Sequence, residues 1–144
     1  MNVYVDSSVL LRVVTGEPRR LRIWSRITAP VSSELVRLEC LRTIDRARIQ
    51  LRLGDEQVAI RRAAVLDAIE TFSLVAIGDR ILERAANPFP TTLGSLDAIH
   101  LASALLVRDR FEDLSLATHD AELAVAARAV GFHVHGDASS GASA

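Results

Sequence analysis

Four carboxylates that lie far apart in the sequence are candidates for a shared chemical task. They are Asp6, Glu39, Asp97 and Asp120. Carboxylates gathered in one pocket repel one another and raise their own pKa values unless a cation lies among them. Hard oxygen ligands without cysteine suit Mg²⁺, with Mn²⁺ as a substitute. Such an ion can activate a water molecule and hold phosphate oxygens for in-line displacement.

Short β-prone runs alternate with helical patterns and would position these acids. The sequence predicts five strands, near residues 3–5, 30–32, 74–77, 114–118 and 132–135. It predicts helices after Ser7-Ser8 and near residues 19–27, 33–50, 56–72, 79–86, 95–106 and 121–130. The last of these helices is expected to end at Gly131. Strands that alternate with helices indicate an α/β layer fold with a largely parallel sheet.

The carboxyl ends of parallel strands mark the edge where ligands bind in such folds. Asp6 closes the first predicted strand and Asp120 follows the fourth by two residues, so we expect the two to meet. Glu39 lies on the border of the apolar face formed by Leu35, Leu38, Leu41 and Ile44. Asp97 lies in a first helical turn beside Leu96 and Ile99, which we expect to be buried.

Each acid alone also has an ordinary structural explanation. Asp6 and Asp120 are typical helix-capping residues. Asp97 would interact favourably with a helix dipole, and Glu39 could pair with Arg42 at the surface. Only the combination of four acids favours a shared site.

Composition places the chain among soluble globular proteins. The 144 residues predict one domain at 1–135, followed by a Gly/Ser/Ala-rich tail at 136–144 that we expect to be disordered. Neither a membrane-spanning run nor a signal peptide is apparent, so a cytoplasmic location is expected. A single cysteine, Cys40, excludes an internal disulfide and a thiolate cluster.

Charge is distributed unevenly, and all 17 basic residues are arginine. Residues 1–62 carry a balance of +5 and residues 63–144 a balance of −6. The cluster of Arg19, Arg20, Arg22 and Arg26 is equally compatible with phosphate contact and with an ordinary solvated surface. His100 is expected to form hydrogen bonds or pack in its helix, and His119 to have a neutral surface role.

Four segments together resemble the motifs of PIN domains. Asp6-Ser7-Ser8 resembles the opening motif, and residues 33–39 resemble the second, with a serine six residues before the acid. Residues 96–102 are very similar to the third motif as VapC toxins carry it, and Thr118-His119-Asp120 resembles the fourth. The resemblance implies a three-layer α/β/α sandwich around a five-stranded sheet, with a protruding helical hairpin.

The same resemblance implies a Mg²⁺-dependent endoribonuclease that is the toxin of a toxin–antitoxin pair. Asp6, Glu39, Asp97 and Asp120 would be the metal-binding acids, with Ser8 and Thr118 as polar groups near the metal or substrate. A metal-activated water would attack the phosphodiester and leave a 5′-phosphate. A homodimer and a VapB-like antitoxin are the implied partners, and the hairpin at residues 33–72 could serve either contact.

Two other functions compete with this interpretation. A receiver domain would also place acids, including Asp79, at strand ends, but it needs a lysine that this chain lacks. The second is a catalytically inactive PIN-like module, which would keep the fold and bind RNA or a partner without cleaving RNA.

Overall fold

A five-stranded, wholly parallel sheet forms the centre of residues 1–136, the part of the chain described by the computed structural model. Its strands are β1 (Asn2–Val5), β2 (Ala29–Ser33), β3 (Ser73–Val75), β4 (Ser115–Ala117) and β5 (Val134–His135). Their spatial order is β3-β2-β1-β4-β5. The predicted α/β class is therefore confirmed, and β1 lies in the middle of the sheet.

Six α-helices connect and cover the strands. They are α1 (Ser7–Val14), α2 (Leu35–Gln50), α3 (Asp55–Ile69), α4 (Asp79–Ala86), α5 (Ser95–Val107) and α6 (Ala121–Ala129). Side chains of successive strand residues point to opposite faces, so β1 contributes to two cores. Val3 and Val5 pack with Val9 of α1, whereas Tyr4 packs in a cluster with Leu101 of α5. Helices on both faces give the three layers.

The helical hairpin consists of α2 and α3. Val36, Cys40 and Ile44 face α3 at a spacing of four residues and pack in one cluster with Val58 and other α3 side chains. The predicted face with Leu38 is wrong, because Leu38 is 57% exposed. The apolar residues of α2 surround much of its circumference, so periodicity alone did not identify the buried stripe.

The segment at residues 19–27 is also different from its prediction. It contains a short 3₁₀ turn at Trp24–Arg26 and no α-helix. Leu21 is buried, while the four arginines around it are exposed, so the segment lacks the continuous apolar stripe of an amphipathic helix. Leu21 instead anchors an irregular loop to the sheet.

Two further expectations concern the ends of the fold. Gly131 has a positive φ of 93° directly after α6 and its last turn, as predicted for a glycine that ends a helix. The predicted tail, apart from Gly136, lies outside the described residues. Within residues 1–136, no helix combines the length and apolar character needed to cross a membrane.

Candidate functional site

Asp6 lies where β1 meets α1 and is almost fully buried, with 3% of its surface exposed. It caps α1 by accepting a hydrogen bond from the Ser8 backbone N–H at 3.4 Å. Its Oδ2 also accepts from Ser8 Oγ at 2.5 Å and from Thr118 Oγ1 at 2.9 Å. Both residues predicted as secondary polar groups therefore hold this one carboxylate.

Thr118 connects the ends of β1 and β4. While its hydroxyl donates to Asp6, the same oxygen accepts the backbone N–H of Asp120 at 2.9 Å. Asp120 in turn caps α6 by accepting from the Leu123 N–H at 2.9 Å. The structure thus brings Asp6 and Asp120 to one sheet edge. Asp6 and Asp120 cap helices, and they also meet at one edge of the sheet, so both predictions are confirmed. The two roles are compatible because a capping carboxylate uses only some of its hydrogen-bond acceptor positions.

Glu39 of α2 lies at the same edge, where it contacts His100, a residue for which the sequence predicted only hydrogen bonding or packing in its helix. Its Oε2 lies 2.5 Å from His100 Nε2, and the same nitrogen lies 3.5 Å from Asp6 Oδ1. Arg42 pairs with Asp45 at 2.9 Å. The surface pair between Glu39 and Arg42 that the sequence suggested is therefore not formed.

His100 is fully buried and has a second partner on its other nitrogen. Its Nδ1 lies 3.0 Å from the Tyr4 hydroxyl, which also accepts the Ser33 backbone N–H at 3.1 Å. Burial opposes the charged imidazole, but Tyr4, Glu39 and Asp6 outweigh it and raise the pKa of His100 to about 10.

Sequence reasoning missed the importance of His100 and Tyr4. The partners of His100 are 96 and 61 residues away in the chain, so no local pattern joins them. A histidine three residues after Asp97, among small apolar residues of α5, was the available signal, because a buried imidazole requires hydrogen-bond partners.

Asp97 lies in the first turn of α5 and is partly buried. Burial, followed by the negative charges of Asp120 and Asp6, raises its pKa to about 6, with a smaller effect of Glu39, while His100 acts in the opposite direction. The four acids therefore share one electrostatic environment. Leu96, expected to be buried, is 49% exposed, because this first turn borders the acidic edge and solvent.

The chemistry of this side-chain set fits a divalent cation. Atoms of Asp6, Glu39 and His100 that could face a cation lie within 4.8 Å of one another, and Asp97 interacts electrostatically with Asp120, Asp6 and Glu39. A set dominated by carboxylate oxygens, without thiolates, suits a hard ion of the Mg²⁺ or Mn²⁺ type.

Comparison with known proteins agrees with this geometry. A family model described as the PIN domain matches residues 3–129. The chain belongs to the PIN-domain family. Two curated relatives come from Mycobacterium tuberculosis. Ribonuclease VapC46 is 33% identical over 92% of this chain and 95% of its own, and ribonuclease VapC47 is 29% identical over 90% and 93%. The resemblance to VapC-type PIN domains is confirmed.

Solved structures share the PIN-domain fold. A toxin–antitoxin complex from Klebsiella pneumoniae matches with a TM-score of 0.58 and 20% identity over 85% of this chain and 91% of its own. PAE2754 from Pyrobaculum aerophilum matches with a TM-score of 0.59 and 18% identity over 93% and 89%. VapBC2 from Rickettsia felis, bound to a promoter DNA fragment, matches with 0.59 and 10% identity over 94% and 99%.

Proposed function

We propose that this protein is a VapC-type toxin, a metal-dependent endoribonuclease that hydrolyses RNA phosphodiesters. The observation that carries the proposal is the convergence of Asp6, Glu39, Asp97 and Asp120 at one sheet edge of a PIN-domain chain. The two curated relatives, which match nearly the whole chain, are ribonucleases. That agreement supports RNA over other phosphodiesters.

The four acids would hold Mg²⁺, with Mn²⁺ as a substitute. When bound, the ion supplies activation of water and neutralises charge on the phosphate. The protein contributes a fixed arrangement of negative charge. Oδ2 of Asp6 is held by the hydroxyls of Ser8 and Thr118, and Oδ1 accepts a longer hydrogen bond from Ser7 Oγ at 3.4 Å, so the carboxylate keeps a defined orientation. Asp97 has a raised pKa and ionises more readily with a cation beside it, which couples cation binding to its proton release.

An antitoxin and a second copy of the chain are the partners we propose, in the cytoplasm. Several apolar side chains of the hairpin are exposed, namely Leu38, Ile49, Leu51 and Ile60. Exposed apolar groups of this kind are typical of protein interfaces. Two of the structural neighbours described above are toxin–antitoxin assemblies, which supports a VapB-like partner for this chain.

The test is cleavage of single-stranded RNA by the purified chain, freed of any antitoxin. We expect cleavage with Mg²⁺ or Mn²⁺, none with EDTA, and loss of activity in Asp97→Asn. Asp67→Asn, a matched change on the exposed surface of α3, should retain activity. Cleavage by Asp97→Asn at the parental rate would refute the proposed site. RNA binding without cleavage by the parent would instead indicate a catalytically inactive module.

A further inference from the structure

Tyr4, His100 and Glu39 form a continuous chain of polar contacts that extends from the buried core to the acidic edge. Tyr4 and His100 each have an exposed fraction of 0%, whereas Glu39 is partly exposed. The chain joins β1, α5 and α2, and none of its contacts depends on residues that are adjacent in sequence. The partners available to each of these three groups indicate which atoms carry the hydrogens in their contacts.

The Tyr4 hydroxyl oxygen already accepts the Ser33 backbone N–H at 3.1 Å. In the neutral imidazole, the hydroxyl hydrogen has His100 Nδ1, at 3.0 Å, as its acceptor. If the neutral imidazole carried its proton on Nδ1 instead, both groups would donate toward the same position. The tyrosine hydrogen would then lack an acceptor in a fully buried environment, which is unfavourable.

The contact of the other ring nitrogen of His100, Nε2, agrees with this assignment of the hydrogens. Nε2 lies 2.5 Å from a carboxylate oxygen of Glu39, which accepts hydrogen bonds when ionised. Nε2 carries a hydrogen both in the doubly protonated imidazole and in the neutral form that accepts from Tyr4. A nitrogen that carries a hydrogen has no lone pair for a metal, so only the unfavourable tautomer could coordinate one.

We propose that Tyr4 and His100 are positioning residues that hold Glu39, with the His100 Nε2–H as a hydrogen-bond donor and not as a metal ligand. This inference rests on the proposed function for the role of Glu39. A glutamate has three rotatable side-chain bonds, and a buried donor fixes one rotamer before the cation arrives. The carboxylate is then preorganised, with one oxygen held by His100.

Two measurements on the unmutated, full-length chain test the assignment. The first is nitrogen-15 NMR of the histidine side chains in EDTA, with the His100 signals identified by their loss in His100→Gln. We expect a protonated Nε2. An unprotonated Nε2 beside a protonated Nδ1 would overturn the proposal, even if the protein proved to have no nuclease activity.

The second measurement is pulsed electron paramagnetic resonance of the protein loaded with Mn²⁺. We expect no nitrogen coupling of the strength that a directly coordinated imidazole produces. Strong coupling would overturn the positioning role and leave the proposed nuclease intact. Failure to bind Mn²⁺ would instead contradict the proposed function, and the NMR result would still decide the hydrogen-bond assignment.

Kinetics of two variants complete the test. Removal of a group that orients a metal ligand typically lowers metal affinity or activity by about 10- to 100-fold. We expect a loss of this size in kcat, with little change in KM, for Tyr4→Phe, which keeps the ring. His100→Ala removes the donor to Glu39 and should lower kcat at least as much, whereas the exposed control His133→Gln should retain parental activity. An unchanged kcat in Tyr4→Phe would contradict the positioning role of Tyr4.

Discussion

Replacement of Asp97 by asparagine should stabilise the metal-free protein although it abolishes activity. Burial and the charges of Asp120 and Asp6 raise the pKa of Asp97 from 3.8 to about 6. An ionised Asp97 therefore destabilises the folded state when no cation is present. Asparagine has nearly the same shape and cannot ionise, so it removes this electrostatic penalty.

The size of the effect follows from the pKa. One pKa unit corresponds to about 1.4 kcal/mol between the two protonation states, which would give about 3 kcal/mol for a fully buried group. Because Asp97 is only partly buried, solvent screening reduces the expected gain to about 1 kcal/mol. For a chain of this length, that gain raises the melting temperature by about 3 °C.

The pH dependence has a defined sign. The folded-state pKa lies above the unfolded value, so the folded protein binds more protons between these two values and loses stability as the pH rises through about 6. The gain in Asp97→Asn should be complete near neutral pH and disappear below about pH 4. Thermal unfolding in EDTA across this range measures it, with the exposed Asp67→Asn as a control.

Addition of Mg²⁺ should reverse the order of stability, so that the parent becomes more stable than Asp97→Asn. A ligand present at ten times its dissociation constant stabilises the folded state by about 1.4 kcal/mol, and only the parent should show this shift. The reasoning would be refuted if Asp97→Asn were less stable than the parent near neutral pH in EDTA. An equal Mg²⁺ shift in both proteins would show that Asp97 does not contribute to cation binding.

Three further predictions concern other parts of the molecule. Thr118→Val removes the hydroxyl between Asp6 and Asp120 and should lower the free energy of unfolding in urea by about 1–3 kcal/mol; a change near zero would contradict the bridging role. Burial, together with the smaller effect of the negative charges of Glu39 and Asp6, raises the pKa of the Cys40 thiol to about 12. The thiol should therefore resist a thiol reagent until the chain is unfolded, and rapid labelling of the native protein would contradict this. The double variant Arg20→Glu, Arg22→Glu should weaken binding of single-stranded RNA about tenfold and reduce the salt dependence of binding. The control double variant Arg61→Glu, Arg62→Glu on the hairpin should show neither effect. Equal losses of affinity in the two would indicate only a general effect of charge.

The sequence predicted the parallel sheet and the edge at which Asp6 and Asp120 meet, since both follow directly from strand order. It also identified Ser8 and Thr118, which contact Asp6. The roles of these residues in catalysis stay predictions. The successful steps all used residues at strand ends, where the position along the chain determines the position in space.

The failures have a common physical cause. The exposure of Leu38 and the pairing of Glu39 depend on which side of α2 faces the rest of the fold, and this is decided by tertiary packing. The bonds of His100 join strands and helices that are distant in sequence. Local periodicity carries no information about such contacts, so a lone histidine was interpreted from its helix alone.

The hydrogen bond between Asp6 and Thr118 joins residues that are 112 positions apart, and β1 pairs directly with β4. During synthesis, the first strand therefore leaves the ribosome long before β4, one of its two neighbours in the sheet, exists. The bond from Thr118 to Asp6 cannot form, nor can Asp120 join Asp6, until most of the chain has been translated. A nascent chain is consequently unable to assemble the acidic edge, and a partner that bound the early hairpin would act before the site is complete. Truncation before β4 should give a chain that lacks the site however well its first half folds.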